Sequence, residues 1–200
     1  MSVLVPRDRF ERWVLNFRGR HGATALSVSA GALLGAGSDG STFAASLPFA
    51  RAYSGLPSDA AFALEVQPPD AWGVLLVRKG GFAVARLAGA VVVESKVGQR
   101  HVQGRTKAGG QSQQRFARRR DNQARQAYEA AADHAARILG STALVVTGGD
   151  HAAVTEVLAD PRLAHVTVTG PWLPVPDPRR DVLNASIADA CSASVEVVNA

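Results

Sequence analysis

"WGVLLVRKGGFAVARLAGAVVVES", Trp72 to Ser95, is the stretch whose reading decides the fold. Trp72–Val77 is a continuous apolar run, and Lys79-Gly80-Gly81 turns it. Phe82–Leu87 and Ala90–Ser95 follow at hairpin and meander spacing, which predicts three neighbouring strands. Just ahead, Gln67-Pro68-Pro69-Asp70 marks a break, because two prolines stop both a helix and a central strand. Beyond the strands comes a polar stretch, roughly Gly98 to Ser112, long enough to suggest a functional loop. A long helix is expected over about Gln113–Leu139, closed by Gly140. Thr142–Thr147 reads as a buried strand, and Gly148-Gly149-Asp150 turns into a helix at His151–Leu158, with Asp150 as its cap. "HVTVTG" (His165–Gly170) reads as another strand and Val182–Ala190 as a last helix. Strands alternating with helices give an α/β class: a mixed β-sheet flanked by helices.

Outward from this core the chain is less regular. Arg7–Phe17 has Phe10, Trp13, Val14 and Phe17 at helical spacing behind Pro6, and Gly19 and Gly22 are expected to end that helix. Thr24–Ser29 alternates like a strand. A Gly/Ser-rich stretch follows, in which Ser38-Asp39-Gly40-Ser41 reads as a turn between short strands. Residues 1–68 are therefore expected to form an N-terminal extension and 69–200 the main domain. One cysteine, Cys191, excludes an internal disulfide and a cysteine-based zinc site. His101, His134, His151 and His165 have no metal-ligand spacing, so neither a metal nor a cofactor is expected. No apolar run approaches the length of a membrane span, and a cytoplasmic monomer is expected.

Charge is distributed unevenly over the 200 residues. Lys96–Arg125 holds nine Lys/Arg against one acidic residue, Asp121, a charge of +8, which leaves −3 for the rest of a chain whose total is +5. A basic excess so concentrated addresses a polyanion. At about 100° per residue, Arg115, Arg118, Arg119 and Arg125 share an arc of roughly 120° on the long helix. Phe116, Ala124, Ala127, Tyr128, Ala131, Ala135, Ile138 and Leu139 lie opposite. One face can pack on the sheet while the other presents arginines; Arg120 falls towards the apolar side.

Within the basic stretch lies "GRTKAGGQSQQRFARRRDNQ", Gly104 to Gln123. Gly109-Gly110-Gln111 alone is a weak signal, since a flexible glycine turn accounts for it. Its context is more specific. Gly109, Gly110, Gln111 and Ser112, followed by Arg115, Phe116, Ala117 and Arg118, resemble the catalytic segment of eukaryotic and archaeal class-1 peptide chain release factors. The likeness extends over the preceding strand pair and over "ALVVTGGD" after the helix, about Ala71 to Ala190. The chain looks most like the Vms-like release factors, ribosome-rescue peptidyl-tRNA hydrolases with bacterial members. The resemblance implies a release-factor catalytic-domain fold with RNase H-like layering and a projecting Gly-Gly-Gln loop. It also implies hydrolysis of the peptidyl-tRNA ester on stalled ribosomes, with the large subunit, peptidyl-tRNA and ribosomal RNA as partners. Cleavage of the tRNA acceptor end and non-catalytic RNA binding are the alternatives. Stop-codon reading is not expected, since no codon-reading domain is evident.

The chemistry fits those residues. Ester hydrolysis needs a placed water and a donor for developing negative charge. Glycines remove side-chain bulk and permit positive φ, so Gly109 and Gly110 would shape the tip and the Gln111 N–H would donate. The Gln111 amide would restrict the nucleophile to the size of water. Arg100, His101, Arg105, Lys107, Arg115, Arg118, Arg119 and Arg125 are the candidate RNA contacts. A glycine-loop dinucleotide site at "GALLGAG" is excluded by its glycine order.

Overall fold

The computed structural model describes residues 2–99 and 111–200, and for 111–124 the backbone alone. In chain order the elements are β1 (Ser2–Val5), α1 (Arg7–His21), β2 (Thr24–Ser29), β3 (Ala32–Gly37), β4 (Thr42–Ser46), α2 (Asp59–Glu65), β5 (Ala71–Arg78), β6 (Gly81–Ala88), β7 (Val91–Gln99), α3 (Gln111–Leu139), β8 (Leu144–Gly149), α4 (His151–Leu158), β9 (Thr167–Val168), α5 (Arg180–Ala190) and β10 (Ala193–Val198). They form two five-stranded sheets with five α-helices, a mixed α/β fold. The chain divides into two compact units, Met1–Pro69 with Ile187–Ala200, and Asp70–Ser186.

The first unit is built on an antiparallel sheet in the order β1-β10-β4-β3-β2. Its core is aromatic. Phe10 and Val14 of α1 are fully buried, with Phe17 beside them. The Phe10 and Phe62 rings lie 4.6 Å apart, and Phe43 meets Trp13 and Phe17 edge-on at 5.1 and 5.0 Å. Gly35 carries no Cβ because the Phe43 ring occupies that space. Helix α1 runs four residues beyond the expected end at Phe17. Gly19 does not stop it; Gly22 does, at φ 78°, with its N–H donating to the Arg18 carbonyl. A glycine tolerates this left-handed conformation, and it closes helices for that reason.

The second unit holds a mixed sheet in the order β7-β6-β5-β8-β9. β5, β6 and β7 form the antiparallel meander, while β5/β8 and β8/β9 are parallel. α3 and α4 cover one face, where Leu75, Val77, Val84 and Val145 pack with Ala131, Ala135, Ile138, Leu139 and Val154. The strand expected over His165–Gly170 shrinks to Thr167–Val168. Gly170 at φ 74° and the prolines at 171 and 174 interrupt it, and the chain touches β8 again at the Gly148–Leu173 bridge.

Candidate functional site

Register places several chain segments at one edge of the second unit's sheet. Arg78 at the end of β5 pairs with Gly81, and Gly81 pairs with Gln99 at the end of β7. Val77 pairs with Gly149 at the end of β8. β5, β7 and β8 therefore all finish at one edge of this sheet. The expected loop over Gly98–Ser112 falls mostly on residues 100–110, outside the described residues, and its flanks belong to regular elements. β7 continues to Gln99, and α3 opens at Gln111, two residues earlier than expected. Gln111 is the first described residue of α3.

Gly109 and Gly110 lie outside the described residues, as do Arg100, His101, Arg105 and Lys107. Arg115, Arg118 and Arg119 lie on the helical backbone of α3, with side chains outside the described residues. Arg125 is exposed, as expected for the outward face. On the opposite face Ala127, Ala131, Ala135, Ile138 and Leu139 are buried, and Tyr128 is half-buried.

Several contacts hold the later part of α3 to the sheet. The Arg86 Nε–H donates to the Ile138 carbonyl at 3.0 Å, so a cation faces the negative end of the helix. Arg137 pairs with Glu94 of β7. His134 stacks on Phe82, with ring centroids 5.4 Å apart. Phe82 in turn lies across Gly98, where any Cβ would strike its ring. Arg162 bridges Asp133 and Asp160, each at 2.7 Å. Its side chain is the chief cause that lowers the Asp160 carboxyl to about 2. Desolvation raises the Tyr128 phenol, and the carboxylates of Asp150 and Glu156 add to that rise.

At the sheet edge a cleft of about 480 Å³ opens between the strands and the helix, with Phe82 and Ala127 on its apolar side and Gln99, Gln126 and Glu129 among its polar groups. By Gln126, then, α3 has reached the edge. The helical backbone from Gln111 to Arg125 adds about 22 Å ahead of Gln126, at 1.5 Å per residue. The helix is anchored over the sheet at its C-terminal half.

Sequence reasoning missed Arg86, Phe82 and His134 as anchors. A signal existed for one: Arg86 shares the strand face of Phe82 and Val84, where a charge requires a partner. Gly148-Gly149-Asp150 behaves as expected, with Asp150 accepting from the N–H groups of Ala152 and Ala153 at 3.0 and 3.3 Å. Cys191 is half-buried, and desolvation pushes its thiol up to about 11. Among the described residues no group of three His, Cys, Asp or Glu is placed to hold a metal, and no helix is long and apolar enough to cross a membrane.

The family described as Actinobacteria/chloroflexi VLRF1 release factor matches residues 70–196. The crystal structure of an archaeal translation termination factor, aRF1, is similar with a TM-score of 0.38 and 13% identity. That likeness covers 94% of this chain and 65% of the archaeal one. No curated protein matches the chain.

Proposed function

Because the chain belongs to the Actinobacteria/chloroflexi VLRF1 release-factor family, we propose that it is a ribosome-associated peptidyl-tRNA hydrolase that frees nascent chains from stalled complexes in the cytoplasm. The observation that supports the reading lies in the sequence: Gly109-Gly110-Gln111 directly precedes the arginine-rich segment whose backbone forms the N-terminal half of α3. A tip so placed can be delivered into a narrow RNA-lined site while the folded body stays outside it.

In this reading Arg100, His101, Arg105 and Lys107 contact phosphates around the tip, and Arg115, Arg118, Arg119 and Arg125 do so along the helix. Gly109 and Gly110 let the backbone approach the ester between the peptide and the tRNA ribose. The Gln111 N–H donates to the oxygen that gathers negative charge. The Gln111 side-chain amide limits the attacking group to a water, and the substrate's 2′-hydroxyl and ribosomal RNA supply the proton transfers.

The test is purified protein added to ribosome-bound peptidyl-tRNA, with both products analysed. Hydrolysis gives a free peptide carboxylate and a tRNA with an intact 3′ end. A shortened tRNA bearing a terminal phosphate would replace the reading with that of an acceptor-end nuclease. Absence of any product with authentic stalled complexes would leave an RNA-binding module.

A further inference from the structure

Helix α1 lies in the first unit, outside the residues matched by the release-factor family. Its buried face is accounted for: Phe10, Val14 and Phe17 pack in the aromatic core. Its exposed face is not. At about 100° per residue Arg9, Arg12, Asn16 and Arg20 share an arc of roughly 80°, on the side away from the buried residues. All four are exposed. They follow one another at steps of about 4.5–6 Å along the axis, one per turn.

Folding accounts for one member of this stripe, Arg20, and gives no reason for Arg9 or Arg12. Basic residues in the last turn complement the helix dipole, which explains Arg18 and Arg20. Arg7 and Arg9 sit in the first turn, at the positive end, where that dipole opposes them. Arg9 and Arg12 are three residues apart, the spacing at which like charges repel on a helix. Asp8 and Glu11 are available, at pairing distance in sequence from Arg12 and Arg7. Yet among the described residues Arg18 is the one arginine of this helix that forms an ion pair, with Asp59 at 3.4 Å. Solubility does not require the pattern either, because lysine would serve it equally. Arginine outnumbers lysine nineteen to three over the whole chain, so the choice of arginine is not particular to this helix. Arginine differs in presenting a planar fork of donors that matches a phosphate.

We infer that the stripe Arg9–Arg12–Asn16–Arg20 on α1 is a phosphate-binding surface for structured RNA, separate from the arginines of α3. The choice of RNA among polyanions rests on the release-factor reading; the choice of a phosphate backbone rests on the charge, exposure and one-per-turn spacing of Arg9, Arg12 and Arg20. The contact is with the backbone and carries no sequence preference. Through it the N-terminal unit holds the protein on RNA while the second unit acts.

The experiment measures binding of the full-length protein to a dye-labelled duplex RNA hairpin over a series of salt concentrations. Each phosphate contact contributes about one unit to the slope of log affinity against log salt. The Arg9→Gln/Arg12→Gln/Arg20→Gln protein is expected to lose about three units of slope. The Asp8→Asn/Glu11→Gln protein, in which the flanking carboxylates are gone, is expected to bind more tightly than wild type. Circular dichroism checks folding, and if the triple variant misfolds, Arg12→Gln alone should lose about one unit. A slope unchanged by these substitutions overturns the inference. So does arginine-dependent binding to phosphatidylglycerol vesicles without arginine-dependent binding to RNA. Peptide release by the same proteins is a separate readout. A wild type that releases nothing while α1 still sets the slope ends the hydrolase reading and leaves this surface standing; active release with an unaltered slope does the reverse.

Discussion

The two halves of α3 are one continuous helix under two different constraints. From Ala127 to Leu139 the buried face reads Ala127, Ala131, Ala132, Ala135, Ile138 and Leu139. Alanine lets the helix axis approach the sheet closely, and Ile138 and Leu139 fill the space at the far end. Arg86, Glu94 and Arg162 then fix this half from its sides. From Gln111 to Arg125 the sequence carries Arg115, Arg118, Arg119, Arg120 and Arg125 against a single Asp121. The side chains of 111–124 lie outside the described residues, and what the sequence shows of this half is its charge. The comparison separates what the fold demands from what a partner demands within one element. Substitutions in the anchored half should change stability, and substitutions in the N-terminal half should change binding and chemistry.

The largest effect should come from the anchored half. Ile138 is 1% exposed, and Ile138→Ala should cost about 2–5 kcal/mol through lost burial and the cavity left behind. Urea denaturation measures it. Arg118→Gln, in the N-terminal half, should stay within about 0.5 kcal/mol of wild type. A comparable loss for Arg118→Gln would break the division, because it would mean that the N-terminal half is also packed.

At the tip the relation reverses. Gly110→Ala should leave the urea midpoint unchanged while peptide release falls at least about a hundredfold, the value of one misaligned donor, near 3 kcal/mol. Gln111→Ala keeps the N–H and should retain more activity than Gly110→Ala. Single-turnover release from ribosome-bound peptidyl-tRNA distinguishes them. If Gln111→Ala is the more damaging, the side-chain amide and not the N–H carries the chemistry.

How far these features could be read in advance depended on the distance over which they are determined. The β5–β7 meander was legible because Trp72–Val77 and Phe82–Leu87 alternate with turns only a few residues long. The anchored face of α3 was legible because its period is local. β1 and β10 were not read as strands. Ser2–Val5 and Ala193–Val198 are short, and each is stabilised by the other, from opposite ends of the chain. The C-terminal strand also pairs with β4, which ties Ile187–Ala200 to the first unit in a way no local pattern discloses. Of the site, the Gly-Gly-Gln triplet and the arginine arc are written in consecutive residues. The anchors are not: Arg86 meets Ile138, and Phe82 meets His134, only after the sheet has formed.

Charge sharpens the comparison further. Replacing Arg118 and Arg119 together by glutamine should reduce the salt slope of RNA binding by about two units. Arg137→Gln, in the anchored half, removes the partner of Glu94 and should leave that slope as it is. Its cost is in stability, and an exposed ion pair accounts for at most about 1 kcal/mol. A shared effect on the slope would mean that Arg137 also reaches RNA.

The smallest effect tests the side anchor at Asp133 through pH. Arg162 lies between Asp133 and Asp160, and Asp160 also accepts the backbone N–H of Arg162 at 2.9 Å. These bonds, the Arg162 side chain first, lower the Asp160 carboxyl from 3.8 to about 2. A carboxyl whose folded value lies below its unfolded one binds its proton more readily when the chain unfolds. Its contribution to stability is therefore complete above the unfolded value and is lost as pH falls through about 2. Asp160→Asn removes that charge at every pH. The melting temperature of wild type should exceed that of Asp160→Asn near neutrality, and the gap should close as the pH drops from about 4 to about 2. Both side chains are at the surface, so added salt should narrow the gap at neutral pH as well. A gap that persists undiminished at about pH 2 would assign the Asp160 contribution to the geometry of its turn, and would remove Arg162 from the set of contacts that hold α3 in place.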